Sequence, residues 1–273
     1  MKWATGILAI IFATTFSWNT SSSLSESRID NLTQLGWYLF FDSDLSGSGK
    51  ISCSTCHNPK LAFTDGYRQS FNAYGEKVLH NSPSLLNVAD NATFNWSDHH
   101  IKSLRQQLHG PMGSELPGEM EFDKYSIEIP DWSNIPECDK IELIESALVN
   151  YISQLNRRSS TFDKLEMNEK QSEGFRIFNE VGCDNCHGGI DFDEPLKSEY
   201  IGQYRIPTLR NVTVTYPYLH DGSEVKVADA IKRHTRISDQ NISKIIVFLD
   251  CLTDTSYGNL KYFYDPFNAK NEI

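Results

Sequence analysis

The chain has 273 residues, of which 39% are hydrophobic, with a formal charge of -11 and an isoelectric point near 5.2. That length suffices for one large domain or two ordinary ones. The acidic balance argues against a nucleic-acid partner, which requires basic patches, and suits a basic protein partner instead.

Residues 1–22 read as a signal peptide: Lys2 supplies positive charge, Gly6 to Phe16 form a short apolar run, and Ser17 onward is small and polar. The run is about half the length needed to span a bilayer. Cleavage and export to the periplasm are therefore expected, and no later stretch is long enough to anchor the chain. Ser25 to Phe41 has helical spacing, with Ser25 or Ser27 as cap and Ile29, Leu32, Leu35, Leu39 and Phe40 recurring along one side. Asp42 to Lys50, rich in Ser, Gly and Asp, is a turn. It delivers the chain to Cys53-Ser54-Thr55-Cys56-His57.

Asn58 to Asn95 is broken by Pro59, Gly66, Gly75 and Pro83 and reads as loop. A loop of that length in a compact domain is functional or wraps around something. Ile101 to Leu108 is a short helix closed by Gly110-Pro111. Glu142 to Leu155 is an amphipathic helix with Ile144, Ala147, Leu148, Tyr151 and Ile152 on one face. The charged run from Arg157-Arg158 to Glu166 marks a domain boundary near residue 160. Glu169 to Val181, with Phe175 and Phe178 inward, leads into Cys183-Asp184-Asn185-Cys186-His187. Ser238 caps a final helix running to about Leu252. Asn211 to Thr215 is the one candidate for strand alternation, or else extended loop. The fold class is mainly α, divided into 23–160 and 161–273.

In C-x-x-C-H two thiols add across the vinyl groups of one haem, and the following histidine ligates its iron. Zinc sites need about four ligands, usually two C-x-x-C pairs on one metal, and do not require a histidine beside each pair. A thioredoxin-like pair needs a βαβ context, which is missing. Two copies therefore point to two covalently bound haem c groups, attached through Cys53, Cys56, Cys183 and Cys186, with His57 and His187 on the irons. Cys138 and Cys251 remain over, as buried thiols or as a pair.

Further blocks carry a resemblance. They are Leu39-Phe40-Phe41-Asp42 with Leu45-Ser46-Gly47-Ser48-Gly49, Asn81-Ser82-Pro83-Ser84-Leu85-Leu86-Asn87, Gly110-Pro111 with Glu119-Met120, and Ser160-Thr161-Phe162-Asp163. Pro207 to Val212 and Tyr216 to Ser223 continue the pattern. Together they resemble the bacterial di-haem cytochrome c peroxidases and the related methylamine-utilisation enzyme, over roughly residues 30 to 255. The resemblance implies two cytochrome c-like helical domains meeting at an interface. It also implies hydrogen peroxide as substrate at the N-terminal haem, and a small donor cytochrome c or cupredoxin feeding the C-terminal one. An interdomain calcium ion would be held by Asn81 and the carbonyls of Thr215 and Pro217, a ligand chemistry that suits calcium. Relatives are commonly homodimers.

Two positions depart from the family pattern. Counting back from Gly110-Pro111 places Gln106-Gln107 where relatives carry Glu-Gln, so Gln106 stands for the catalytic glutamate, and an amide cannot accept a proton at neutral pH. His99 and His100 replace a Gly-Arg pair and are expected as substitute bases, as iron ligands or as two surface histidines of a loop. At the C-terminal haem the distal methionine or tyrosine is replaced by His234, giving a bis-histidine iron with His187. Replacing thioether by imidazole lowers the potential. His80 stands where relatives carry Arg, and Trp96 is either an aromatic bridge between haems or core packing. Two functions follow: a peroxidase, or a non-peroxidatic di-haem electron carrier or protein oxidase, the second motivated by the missing glutamate.

Overall fold

The computed structural model describes residues 32–113, 119–122, 137–193, 200–254, 256 and 261–267. The expected signal peptide, the expected start of the first helix with Ser25, Ser27 and Ile29, and the side chain of Cys138 lie outside them.

The structure is mainly helical. Helix α1 spans 32–41, α2 Cys53–Cys56, α3 Leu104–Met112, α4 Glu137–Ser153, α5 Glu169–Glu180, α6 Val227–His234 and α7 Asp239–Asp250. The described strands are the hairpin pair β1 (Tyr200–Ile201) and β2 (Tyr204–Arg205). Asn211–Thr215 is not a strand: Val212–Val214 forms a 3-10 turn entered through Asn211 at φ 59°. Helix α3 also outlasts the expected stop at Gly110-Pro111. Pro111 falls in its last turn, where its ring removes one i→i−4 hydrogen bond, and Gly113 at φ 80° ends the helix.

Apolar spacing becomes two separate cores. The first gathers Phe40, Leu39 and Trp37 of α1, Leu108 of α3, and the α4 face Ile144, Ala147, Leu148, Tyr151 and Ile152. The second gathers Ile177 and Phe178 of α5 with Ile245, Phe248 and Leu249 of α7. Each is built on a helix pair that crosses at a glycine. A Cβ on Gly36 would stand 2.0 Å from the Ala147 carbonyl oxygen, and one on Gly174 would stand 2.2 Å from that of Lys244. Gly36→Ala must therefore part α1 from α4. A loss of at least about 2 kcal/mol is expected, read as a lower denaturation midpoint with unchanged m-value.

Residues 261–267 return to the first core. Phe263 is buried there, Tyr151 donates its hydroxyl to the Tyr262 carbonyl at 2.8 Å, and the Trp37 indole donates to the Tyr264 carbonyl at 2.7 Å. The two halves are stitched by backbone bonds, from Asn81 N–H to the His220 carbonyl at 2.9 Å and from Arg205 N–H to the Trp96 carbonyl at 2.8 Å. No helix among the described residues is long and apolar enough to cross a membrane.

Candidate functional site

The first motif lies on α2, a single turn held at its start by the Ser52 N–H donating to the Thr55 hydroxyl at 3.0 Å. Both thiols are unpaired, and burial pushes each up to about 12, the charges of Asp65 and Glu119 adding to the effect at Cys56. His57 Nδ1 stands 3.1 Å from the Phe63 carbonyl. A carbonyl only accepts, so Nδ1 carries the proton and Nε2 is left as the ligand nitrogen. Burial holds the His57 pKa below its ordinary value, which keeps the ring neutral.

The second motif repeats the device. His187 Nδ1 stands 3.1 Å from the Phe192 carbonyl, and burial, helped by the neighbouring His234, lowers its pKa to about 4. Phe63 and Phe192 have φ of 60° and 56°, a left-handed backbone that bulky residues seldom adopt. The same strained residue aims a carbonyl at the proximal imidazole in both halves. His234, the last residue of α6, holds its own Nδ1 2.7 Å from the Ala230 carbonyl, so its Nε2 is likewise the free nitrogen. Cys183 is pushed up to about 11 by burial, with Asp184 adding.

A cavity opens beside α2, with Cys53, Cys56 and His57 on one side and Phe40, Val88, Phe94, Leu104 and Ile152 in its apolar wall. Its polar groups include His80, Gln107, Glu119 and Arg205. Unpaired thiols, a histidine with Nε2 free and an apolar slot fit a covalently attached haem. A zinc site would instead gather four converging ligands, and among the described residues no group of three or more His, Cys, Asp or Glu could hold a metal ion.

The remaining expected residues divide between the cavity and the surface. Gln106 does not line the cavity: its carbonyl oxygen accepts the Lys102 N–H at 2.8 Å, and its own N–H donates to the capping Ser103 hydroxyl at 3.2 Å. His99 and His100 are exposed in the loop before α3 and are absent from the cavity wall. Gln107 is the glutamine that reaches it, its oxygen accepting the Asn95 amide at 3.2 Å.

The residue missed from the sequence is Glu119. Three backbone bonds fix its strand of chain: Met120 N–H to the Pro111 carbonyl at 2.8 Å, Ala73 N–H to the Glu119 carbonyl at 2.7 Å, and Gly47 N–H to the Met120 carbonyl at 3.0 Å. Glu119 lines the cavity and is exposed by surface area, and the protein around it raises its pKa above the ordinary glutamate value by partial desolvation. The Glu119-Met120 pair was itself a visible signal.

Asn81 is buried, and its amide donates to the Tyr67 carbonyl at 2.9 Å, which leaves its oxygen as the end able to bind a cation. The Asn81–His220 backbone bond brings it beside the segment that carries Thr215 and Pro217. Trp96 lines the first cavity and donates its indole N–H to the Asn81 carbonyl at 2.9 Å. Nearby, the Tyr204 and His220 rings stack 3.5 Å apart, with His80 edge-on to Tyr204.

The sequence pattern of the di-haem cytochrome c peroxidase family matches residues 30–172. The cytochrome c551 peroxidase of Nitrosomonas europaea is 30% identical over 82% of this chain and 80% of its own length. The chain belongs to the di-haem cytochrome c peroxidase family. Membership implies haem cofactors and places the chain among cytochrome c peroxidase-type oxidoreductases. The methylamine utilization protein MauG of Methylorubrum extorquens is also similar, 26% identical over 69% of this chain and 64% of that protein. Among solved structures, a MauG-like protein associated with microbial copper homeostasis superposes with a TM-score of 0.73 at 23% identity, covering 87% of this chain and 93% of the other. That likeness supports the fold.

Proposed function

We propose that this chain is an exported di-haem peroxidase of the periplasm. It reduces hydrogen peroxide with two electrons and two protons to two waters, and takes the electrons from a small cytochrome c or cupredoxin. The observation that carries the reading is that a carboxyl, Glu119, and an amide, Gln107, both line the cavity beside the first motif.

Two cytochrome c-like units would each hold one haem c, through Cys53, Cys56 and His57 in the first and Cys183, Cys186 and His187 in the second, and His234 would serve as the second ligand of the second haem. Bound haem supplies the electron transfer and, at the first site, an open iron position for peroxide. The protein supplies proton movement. Glu119, in its ionised form, takes a proton from the near peroxide oxygen and returns it to the far one, so that water leaves. Gln107 orients the peroxide by hydrogen bonds while Asn95 holds the amide in place. His57 keeps its orientation through Phe63. In this reading Glu119 fills the role for which Gln106, His99 and His100 were expected.

A calcium ion at Asn81, Thr215 and Pro217 would lie where Asn81 meets both Trp96 and the segment of His220. Chelation with EGTA is expected to change the visible spectrum of the first haem and to slow turnover, with calcium but not magnesium restoring both. An unchanged spectrum after verified calcium removal would count against the site.

The function is tested by steady-state, peroxide-dependent oxidation of reduced small cytochromes and cupredoxins by the purified holoprotein. Saturable donor oxidation is expected. A rate no higher than that of an equal concentration of free haem contradicts the reading.

A further inference from the structure

The two haem sites are joined by a continuous ionic path through Arg158. On the first side, Val88 and Asn91 line the first cavity, and Asp90 sits between them at the end of the turn Val88–Asp90. Three bonds dock the chain at 156–158 onto that turn. The Asn156 amide and Arg158 Nη2 each donate to Asp90 Oδ2 at 2.9 Å, and the Arg157 N–H donates to Asn87 Oδ1.

On the other side, Arg158 donates through Nε to Asp191 Oδ1 at 3.0 Å and through Nη2 to Asp191 Oδ2. Asp191 is buried and precedes Phe192, whose carbonyl orients His187. Arg210 completes the frame within the second half. It donates through Nε to Asp191 Oδ1 and through Nη2 to the Ile190 carbonyl, each at 2.7 Å, and it grips Asp163 with both terminal nitrogens. The loop that sets the second proximal histidine is thus fixed twice, by Arg210 to its own half and by Arg158 to the wall of the first cavity.

We propose that Arg158 is a positioning residue that couples the two haem sites, transmitting displacement of the 87–91 wall through Asp90 and Asp191 to the Phe192 carbonyl on His187. The fork geometry of the guanidinium suits this task, because one planar group holds both carboxylates at once. The coupling is reciprocal by linkage: a ligand that moves the first wall changes the second haem's preference between oxidation states, and the oxidation state changes the ligand's affinity.

This inference rests on haem attachment at both motifs, which the haem content of the wild-type protein tests separately. The experiment is a redox titration of the second haem in the holoprotein, with and without cyanide at the first haem. In the wild type, cyanide is expected to shift the second haem's midpoint potential. In Arg158→Gln the potential without cyanide falls, because Asp191 has lost a cation, and the cyanide-induced shift is lost. Arg158→Lys recovers part of the potential, since the charge returns, but not the shift, since the fork is gone. Asp90→Asn removes an exposed partner and leaves the buried frame intact, so it guards against simple misfolding. It is expected to keep both haems and lose the shift. A two-haem wild type with no cyanide-induced shift overturns the proposal, as does a wild-type shift in either Arg158→Gln or Asp90→Asn. A wild type lacking the second haem overturns the reading beneath it.

Discussion

Glu119→Gln is expected to lower kcat/KM for hydrogen peroxide by about 10²- to 10⁴-fold, the usual contribution of a positioned acid–base group, with haem content and ferric spectrum unchanged. Glutamine keeps the shape and the hydrogen bonds but cannot take the proton. Gln106→Ala is the contrasting variant. Gln106 is tied to the Lys102 N–H at the start of α3, so its loss should cost about 1 kcal/mol of stability and leave turnover near wild type. The pH dependence follows from the same group. As a base Glu119 works ionised, and desolvation raises its pKa. The rate therefore falls as pH drops through that raised value, at higher pH than for an ordinary glutamate near 4.5, and the limb disappears in Glu119→Gln. Equal rates for Glu119→Gln and wild type would remove Glu119 from the mechanism.

His234→Gly is expected to have the second large effect. The imidazole of His234 ends α6 with Nδ1 held by Ala230, and it lies close enough to His187 to lower its pKa. Removing it should turn the second haem from low spin to high spin and change its midpoint potential, while His187 and both thioethers keep the haem attached. Added imidazole should restore the low-spin spectrum, a rescue that a merely structural histidine would not show. An unchanged spectrum and potential would mean that something else ligates the second iron.

Much of this was legible from the chain alone, for identifiable reasons. The α4 face Ile144, Ala147, Leu148, Tyr151 and Ile152 is buried as its spacing requires, because a helix packed on one side obeys its own period. The C-x-x-C-H motifs are local, so their geometry travels with the sequence. The distal wall is not local. Gln106 and Gln107 are adjacent on a helix and point about 100° apart, so only one reaches the cavity. Counting from Gly110-Pro111 could not choose between them, whereas the pattern Ser103-x-x-Gln106 marks a helix start and assigns Gln106 to capping. Glu119 lies beyond the end of α3, and it reaches the cavity only because Pro111, Ala73 and Gly47 pin its backbone. Such pinning joins residues far apart in sequence and leaves no periodic trace.

The charged residues at the seam show the same limit. Arg157-Arg158 read as the edge of a domain, and by composition a charged run is a solvated face. In the structure Arg158 instead bridges Asp90 and the buried Asp191. The left-handed Phe63 and Phe192 were equally invisible, since nothing in a phenylalanine announces a positive φ.

Proton transfer at the first site is tested most directly by one rapid-mixing measurement. Holoprotein with only the second haem reduced is mixed with hydrogen peroxide, and the second-order rate constant for peroxide consumption is compared with that of free haem at the same pH. Acid–base assistance by Glu119 predicts a rate constant at least about 10²-fold above free haem, falling to near the free-haem value in Glu119→Gln. A wild-type rate constant equal to that of free haem would contradict the account.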